Sequence, residues 1–450
     1  MANLEDQPPS ASKHVVVLGA GLSGLAAAFD LLKAGHRVTV LDPMKDFGGL
    51  ASSVRIDGQT VERFYHFICR NDDPLVDLVR ELGLERHLEW HRAKTSFFYE
   101  GKLYGFGSPI DLLRFDPVPF EQRIRFGVHV MQSRFRKHWR WLDQIPAKPW
   151  IIENIGEEAY NVIWHPLLKI KFGDDHDKVS AAWLWHRIWR VANSRDHLLG
   201  PDTFGALAQG TATIVDELVK RIAAHPNGTL RAGARATRIE TEGSRATGVL
   251  LESGERVAAD SVLSTAALPV LDKLLQPQRE EPYFKKARSI QYIGVVCVMM
   301  NLTKPFTSQF WMNVNDSRIS FNGVISQSNL NVNLKKAGLN IIYVPYYLPT
   351  SHPRYAASNE EVYREVVGML PKINPEFSED WVKEWHVFRA PHAQAICSTH
   401  FIDLVPDHRS PVQGLYVTDS AQFYPEDRTI SLAIAQGRKA AGYISADLGA

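Results

Sequence analysis

The sequence predicts an α/β protein: a parallel, helix-covered sheet assembled from separated stretches of chain, joined to an α+β region with an antiparallel sheet and a helical part. Three observations predict it. A strand–helix–strand unit opens the chain, HVVVLGAGLSGLAAAFDLLKAGHRVTVLD at residues 14–42. Signals of the same kind return after Gly205 and again from Gly414 onward. Between them lie long apolar runs such as QYIGVVCVMMNL at 291–302, which suit a second sheet. The implied division is a leader at 1–13, a nucleotide-binding domain from 14–95, 205–270 and 395–450, and a substrate domain from 96–204 and 271–394.

The opening unit is the best-defined element. Val15, Val16 and Val17 lie in a short β-branched run of the kind buried in a parallel sheet. Gly19, Gly21 and Gly24 follow in the spacing G-x-G-x-x-G. The first allows a tight turn, the second lets backbone approach a pyrophosphate, and the third lets a helix pack closely on a strand. Residues 22–33 are Ala- and Leu-rich and helical; the first turn, with Leu22 and Ser23, offers unpaired N–H groups and positive dipole to an anion. Gly35 stops the helix, and a second strand delivers Asp42, whose carboxylate suits the two hydroxyls of an adenosine ribose. With 30 glycines in 450 residues the bare motif arises by chance about 0.13 times per chain. The flanking strands, helix and acid in the right order make this instance a dinucleotide site. An acid at 42 disfavours a 2′-phosphate and leaves FAD or NAD. Gly48 and Gly49, ahead of Leu50 and Ala51, let backbone turn tightly beside a cofactor or form a plain surface turn.

Residues 74–92 read as an amphipathic helix, and 97–104 (FFYEGKLY) as a hairpin turning at Glu100-Gly101. From 117 to 141 the chain is helical, basic and aromatic. Arg123, Arg125, Arg134, Arg136, Lys137 and Arg140 face only Glu121 and alternate with Phe120, Phe126, Phe135, Trp139 and Trp141. Such a stretch lies on an anionic membrane surface, receives a polyanionic substrate group such as a pyrophosphate, or is a solvated face beside a packed aromatic stripe. Residues 155–172 and 181–191 read as helices, the first opened by Pro166. His165, His176 and His186 show no metal-ligand spacing with a carboxylate, and no metal is expected.

After 205 come a helix at 213–224, strands at 230–232 and 236–240, a hairpin of 247–251 with 256–258, and a buried strand at 261–265. Strands at 291–302, 319–326 and 341–348 suggest an antiparallel sheet, with a helix at 360–370 and a further strand at 381–388. The chain closes with a strand ending on Asp419, a loop through Tyr424 and Arg428, and a helix at 430–444. A strand ending on an acid before a helix start is a second cofactor-facing end. Two such ends clasp an extended dinucleotide, which favours FAD over NAD, and no second G-x-G-x-x-G is present for a pyridine nucleotide.

The opening unit, the Gly48–Gly49 turn and the segments WHPLLKIKFG (164–173), YIGVVCVMMNL (292–302) and AQFYPEDRTISLAIAQGRKAA (421–441) resemble the flavoprotein superfamily of amine oxidases, protoporphyrinogen oxidases, phytoene desaturases and UDP-galactopyranose mutases. Within it they look like a protoporphyrinogen-oxidase-like bacterial branch. The resemblance implies a discontinuous Rossmann-like FAD domain of the glutathione-reductase type. It places Asp42 on the adenosine ribose and the strand of Thr237 beside the adenine. Asp419 falls at the ribityl or pyrophosphate end, and Arg428, Thr429 and Ile430 by the flavin pyrimidine. Leu50 stands where that family usually has Arg. The loop of His66 is placed over the flavin ring, where its imidazole hydrogen-bonds substrate, shuttles a proton or is simply half-buried and structural. Trp311 and Tyr424 are the other candidates to line the ring.

Composition narrows the class. The chain is 45% hydrophobic and 22% charged with a formal net charge of +1, so no global electrostatics favours nucleic acid. The 11 Trp, 14 Tyr and 21 Phe concentrate outside the opening unit and suit a bulky apolar substrate. Three isolated cysteines and a polar start without a signal peptide point to a reducing, cytoplasmic setting, with peripheral membrane contact through 117–141 as an added expectation. The expected activity is FAD-dependent hydride transfer between flavin N5 and a bulky apolar, lipid-linked or sugar-linked substrate. A mutase-like sugar isomerase and a non-catalytic flavin-bound scaffold are the alternatives.

Overall fold

The computed structural model describes residues 12–193 and 202–449, so most of the expected leader lies outside the described residues. Five parallel strands form the central sheet in the order Leu415–Val417, Ser261–Ser264, His14–Leu18, Arg37–Asp42, Gly228–Ala232. The strand period of two sorts their side chains. Val15 and Val17 pack with Leu25, Leu218 and Ile434 from the helices Leu22–Lys33, Ala212–Ala224 and Ile430–Leu448. Val16 and Leu18 face the other way, toward Ile239 and Val249 of a three-stranded antiparallel sheet, Ala236–Glu242, Arg245–Leu251 and Arg256–Ala258. Both faces are covered, which is why the opening strand reads as an unbroken apolar run.

The second sheet has seven strands, in the order Val382–Ala395, Tyr292–Leu302, Asn340–Leu348, Gly323–Ser326, Trp311–Val314, Thr95–Tyr99, Lys102–Gly105. One face packs Val296, Val298 and Val344 against the helix Asn359–Met369. The other gathers Val295, Cys297, Tyr343 and Tyr347 with the loop of Phe64, Tyr65 and Phe67. The pairing is antiparallel except between Trp311–Val314 and Thr95–Tyr99, which run parallel. Those two strands come from distant parts of the chain, so no hairpin dictates their direction.

Two helix expectations change. The helix expected over 74–92 covers only Asp73–Glu81; Gly83, at φ 71°, ends it, and Leu88–Arg92 is a strand paired with Thr203–Leu207. The 155–172 segment is broken at Gly156 and widens into a π-helical turn at Tyr160–Trp164 before the helix His165–Phe172. Pro166 accounts for that turn, since its ring needs room beside the carbonyl four residues back and donates no N–H. Among the described residues no helix is long and apolar enough to cross a membrane, and no three potential metal ligands gather.

Candidate functional site

The Leu22–Lys33 helix starts at Gly21 with no capping side chain and no acid in its first turn, so its N–H groups remain available to an anion. Gly24 is obligatory for packing, because a Cβ there would lie 2.0 Å from the Gly19 carbonyl oxygen. Gly48, at φ 110°, donates its N–H to Ala20 O at 2.8 Å, and Gly21 and Gly48 form a parallel bridge. The turn Gly49–Ala51 follows, with Leu50 exposed and the Ala51 carbonyl accepting from Thr211 Oγ1 at 2.7 Å. Asp42 is buried between the loops and accepts from Ala20 N at 2.7 Å and Met44 N at 2.8 Å, one donor on each oxygen. Lone pairs are left for two hydroxyl donors. Ser23 Oγ lies 2.9 Å from Thr418 Oγ1, which brings the two candidate cofactor-binding ends of the chain together. Bare glycine backbone, an uncapped helix start and an acid with spare lone pairs fit the pyrophosphate and ribose of a dinucleotide.

At the second end, Asp419 is buried and its carboxyl is pushed up by desolvation, against donors from Tyr292 Oη (2.6 Å), Ala421 N (2.7 Å) and Leu268 N (3.3 Å). Much of its capacity is therefore used inside the protein. Thr429 caps the Ile430–Leu448 helix through its Oγ1, which accepts from Leu432 N at 3.0 Å. The Arg428 guanidinium donates to Ala393 O at 3.0 Å and Tyr347 Oη at 2.6 Å. Thr237 is exposed, its hydroxyl bonded to Leu250 O at 3.2 Å. Its strand is led past the first site by the bond from Ala234 N to Asp42 O (2.8 Å).

His66 lines a cavity with Glu62, Thr211, Gln327, Asn331 and Ile430, so the structure brings His66 and Ile430 together. Glu62 is buried and lies 3.1 Å from His66 Nδ1; it also accepts from Thr211 N at 3.2 Å and Gln327 Nε2 at 3.3 Å. A carboxylate accepts only, so Nδ1 carries the proton and Nε2 of a neutral ring is left as an acceptor. Trp311 packs edge-on against Tyr65 (5.3 Å) and Phe67 (5.7 Å), the neighbours of His66. Tyr424 stands apart from this cavity: its hydroxyl donates to Asp143 at 2.5 Å and lies 2.6 Å from Ser180 Oγ, and its ring packs on Phe401.

Beside Tyr65 and its partner Tyr347 is a largely buried ionic cluster. Asp427 meets Arg187 at 2.6 Å and Lys171 at 3.8 Å, and the Lys171 ammonium sits over the rings of Trp183 (4.7 Å) and Tyr347 (5.4 Å). Burial alone would raise the Asp427 carboxyl, but Lys171, Arg187 and Arg428 outweigh it and hold it well below the usual range. Arg187 and Lys171 pair with that carboxylate, while the Arg428 guanidinium, bonded to Ala393 O and Tyr347 Oη, acts on it from farther away. Burial draws the Lys171 ammonium down to about 7, against the pull of Asp427. Glu426, half-buried beside Asp427, is raised by desolvation to about 7, and the buried His186, 3.7 Å away, is lowered to about 3.

The family model for flavin-containing amine oxidoreductases matches residues 22–445. The chain belongs to this family. A flavin-containing amine oxidoreductase of this kind is an FAD-dependent oxidoreductase, and the residues around Gly21, Asp42 and Gly48 fit that cofactor; the scaffold alternative gives way. The chain is similar to the 15-cis-phytoene desaturase of Arabidopsis thaliana, 21% identical over 91% of this chain and 76% of that one. It shares its fold with reduced UDP-galactopyranose mutase (17% identity, TM-score 0.74, covering 96% of this chain and 95% of that one). The same holds for an oxidoreductase from Methanosarcina mazei (18%, 0.70, 91% and 94%).

Several site residues of this flavin-containing amine oxidoreductase went unread in the sequence. Glu62 could have been found by its i, i+4 spacing from His66. Lys171 and Arg187, each in a helix rich in aromatics, carried no local signal, because what marks them is a carboxylate 256 and 240 residues away in the chain.

Proposed function

We propose that the enzyme moves a hydride between FAD and a bulky apolar, lipid-linked or sugar-linked substrate. The observation that carries this reading is the aromatic wall of Tyr65, Phe67, Phe310, Trp311, Tyr343 and Tyr347 on the site-facing side of the seven-stranded sheet. FAD, when bound, supplies the two-electron carrier at N5. The wall excludes water and orients an extended apolar carbon skeleton. His66, oriented by Glu62, holds or moves a proton at Nε2 beside that skeleton. Gly19, Gly21, Leu22, Ser23, Gly24, Asp42, Gly48, Gly49 and Ala51 hold the diphosphate and ribose end, and Asp419, Arg428, Thr429 and Ile430 stand at the flavin end.

An anaerobic absorbance spectrum of the holoprotein tests this. Bleaching of the flavin band by an apolar candidate substrate, and not by a pyridine nucleotide alone, is the expected result. A band that only NADH or NADPH bleaches would redirect the reading to a reductase.

A second reading is isomerisation of a nucleotide-linked sugar. The surplus of cations at Lys171, Arg187 and Arg428 over the single Asp427 favours it, since it leaves room for an anionic substrate group. A product whose redox state equals that of its substrate would decide for it.

A further inference from the structure

We infer that the helix Phe120–Phe135 and its flanks form a docking surface for an anionic lipid bilayer, with the helix lying flat in the headgroup region. Most of the exposed large hydrophobic side chains of the described residues lie between Leu103 and Trp141; the others, Met44, Leu50, Val191 and Val270, are scattered along the chain. On the helix itself Phe120 (62% exposed), Ile124, Val128 (51%) and Phe135 (68%) fall within an arc of about 80° at 3.6 residues per turn. Phe126, His129 and Ser133 occupy the opposite, buried side. That side is firmly held: His129 packs edge-on against Trp150 at 4.8 Å, Trp185 Nε1 donates to Ser133 O at 3.1 Å, and Arg134 donates to Ala192 O at 3.0 Å. The apolar stripe is thus presented by a rigid element, and a contiguous exposed apolar patch of this kind marks a contact surface.

Charge selects the partner. Residues 110–141 contain seven Arg or Lys against three Asp or Glu. Of those acids, Asp111 is turned inward, accepting from Gly107 N at 3.2 Å and Ser108 Oγ at 2.8 Å. Arg123 lies over the Phe120 ring (5.4 Å) and Arg136 over the Trp141 ring (5.3 Å), while Arg114, Lys137 and Arg140 are exposed. Guanidinium groups stacked on exposed rings match the depth order of a membrane interface, with rings at the acyl boundary and cations at the phosphates. A second copy of the chain is a poorer partner, because a two-fold contact sets the same cationic patch against itself. An anionic bilayer meets both the apolar stripe and the surplus charge.

Flotation of the full-length holoprotein with vesicles tests the inference. Binding is expected to phosphatidylcholine mixed with phosphatidylglycerol, to weaken as salt is raised, and to be much weaker to pure phosphatidylcholine. The variant F120S/V128S/F135S should lose more than about tenfold in lipid partitioning, with unchanged flavin spectrum and Tm. Since that variant alters three side chains, K137E/R140E provides an independent check and should lose binding to the anionic vesicles only. Absence of binding to anionic vesicles, or wild-type binding by both variants, would overturn the inference. So would a concentration-dependent dimer that the triple serine variant abolishes while vesicle binding persists.

Discussion

The Glu62 carboxylate and His66 Nδ1 stand 3.1 Å apart, with the same carboxylate bonded by Thr211 N and Gln327 Nε2. Glu62 therefore fixes the tautomer and the angle of the imidazole that lines the cavity with Ile430. Glu62→Gln can present its amide N–H to Nδ1 and reverse the tautomer. We expect kcat to fall about 10- to 100-fold with flavin content unchanged. His66→Ala should lose at least as much, and the double variant should lose no more than His66→Ala alone. Additive losses would show that Glu62 acts independently of His66.

Gly437 tests the seat of the last helix on the first. Alanine is ordinarily about 1 kcal/mol better than glycine inside a helix. Here a Cβ would lie 2.1 Å from the Ser23 carbonyl oxygen, and backbone cannot yield as a side-chain end can. Gly437→Ala should therefore destabilise, by about 1–3 kcal/mol net, and lower flavin retention because Ser23 lies in the first turn beside the proposed diphosphate site. Urea denaturation with flavin fluorescence in the same samples checks both.

Asp42 does two jobs that one substitution separates. Asp42→Ala orphans the Ala20 and Met44 amides, each worth about 1–3 kcal/mol when buried unpaired, so even the flavin-free protein should lose stability. Asp42→Asn keeps one acceptor and should lose less stability while still releasing FAD more readily. Calorimetry of the apoprotein and equilibrium titration with FAD read the two effects.

Lys171 makes a pH prediction. Its folded pKa of about 7 lies below the ordinary 10.5. Below 7 both states hold the proton and the full cost of burying the ammonium is felt. Between 7 and 10.5 the unfolded chain binds more protons, so this group makes stability rise with pH. Lys171→Met removes that slope and leaves Asp427 paired with Arg187. The variant should be the more stable protein below pH 7, and its advantage should shrink by about 1.4 kcal/mol per pH unit above it. Chemical denaturation at pH values on both sides of 7 gives the difference directly.

Local pattern carried the first βαβ unit residue for residue: His14–Leu18, Leu22–Lys33 and Arg37–Asp42 begin and end where valine runs, glycine spacing and the terminal acid place them. The hairpin at Glu100-Gly101 was equally legible, both residues having the positive φ that such a tight turn needs. The 74–92 stretch misled because its apolar spacing continues past Gly83, and pairing with Thr203–Leu207 draws its second half into a strand. The 117–141 stretch was legible as basic and aromatic, but not that its helix would be confined to Phe120–Phe135, nor which of its rings would be buried: Phe126 packs inward and Phe120 and Phe135 outward.

By itself, then, the sequence determined a dinucleotide-binding fold, the family and the glycines and acid proposed to hold FAD, because these depend on backbone conformation and on contacts within one short stretch of chain. Only the tertiary structure decided the rest. It set Glu62 and Gln327 around the His66 cavity, and it gathered Lys171 and Arg187 onto the carboxylate of Asp427. It also turned one stripe of a cationic helix to the surface. Burial and charge balance are properties of what surrounds a side chain, and here those surroundings are assembled from residues hundreds of positions apart.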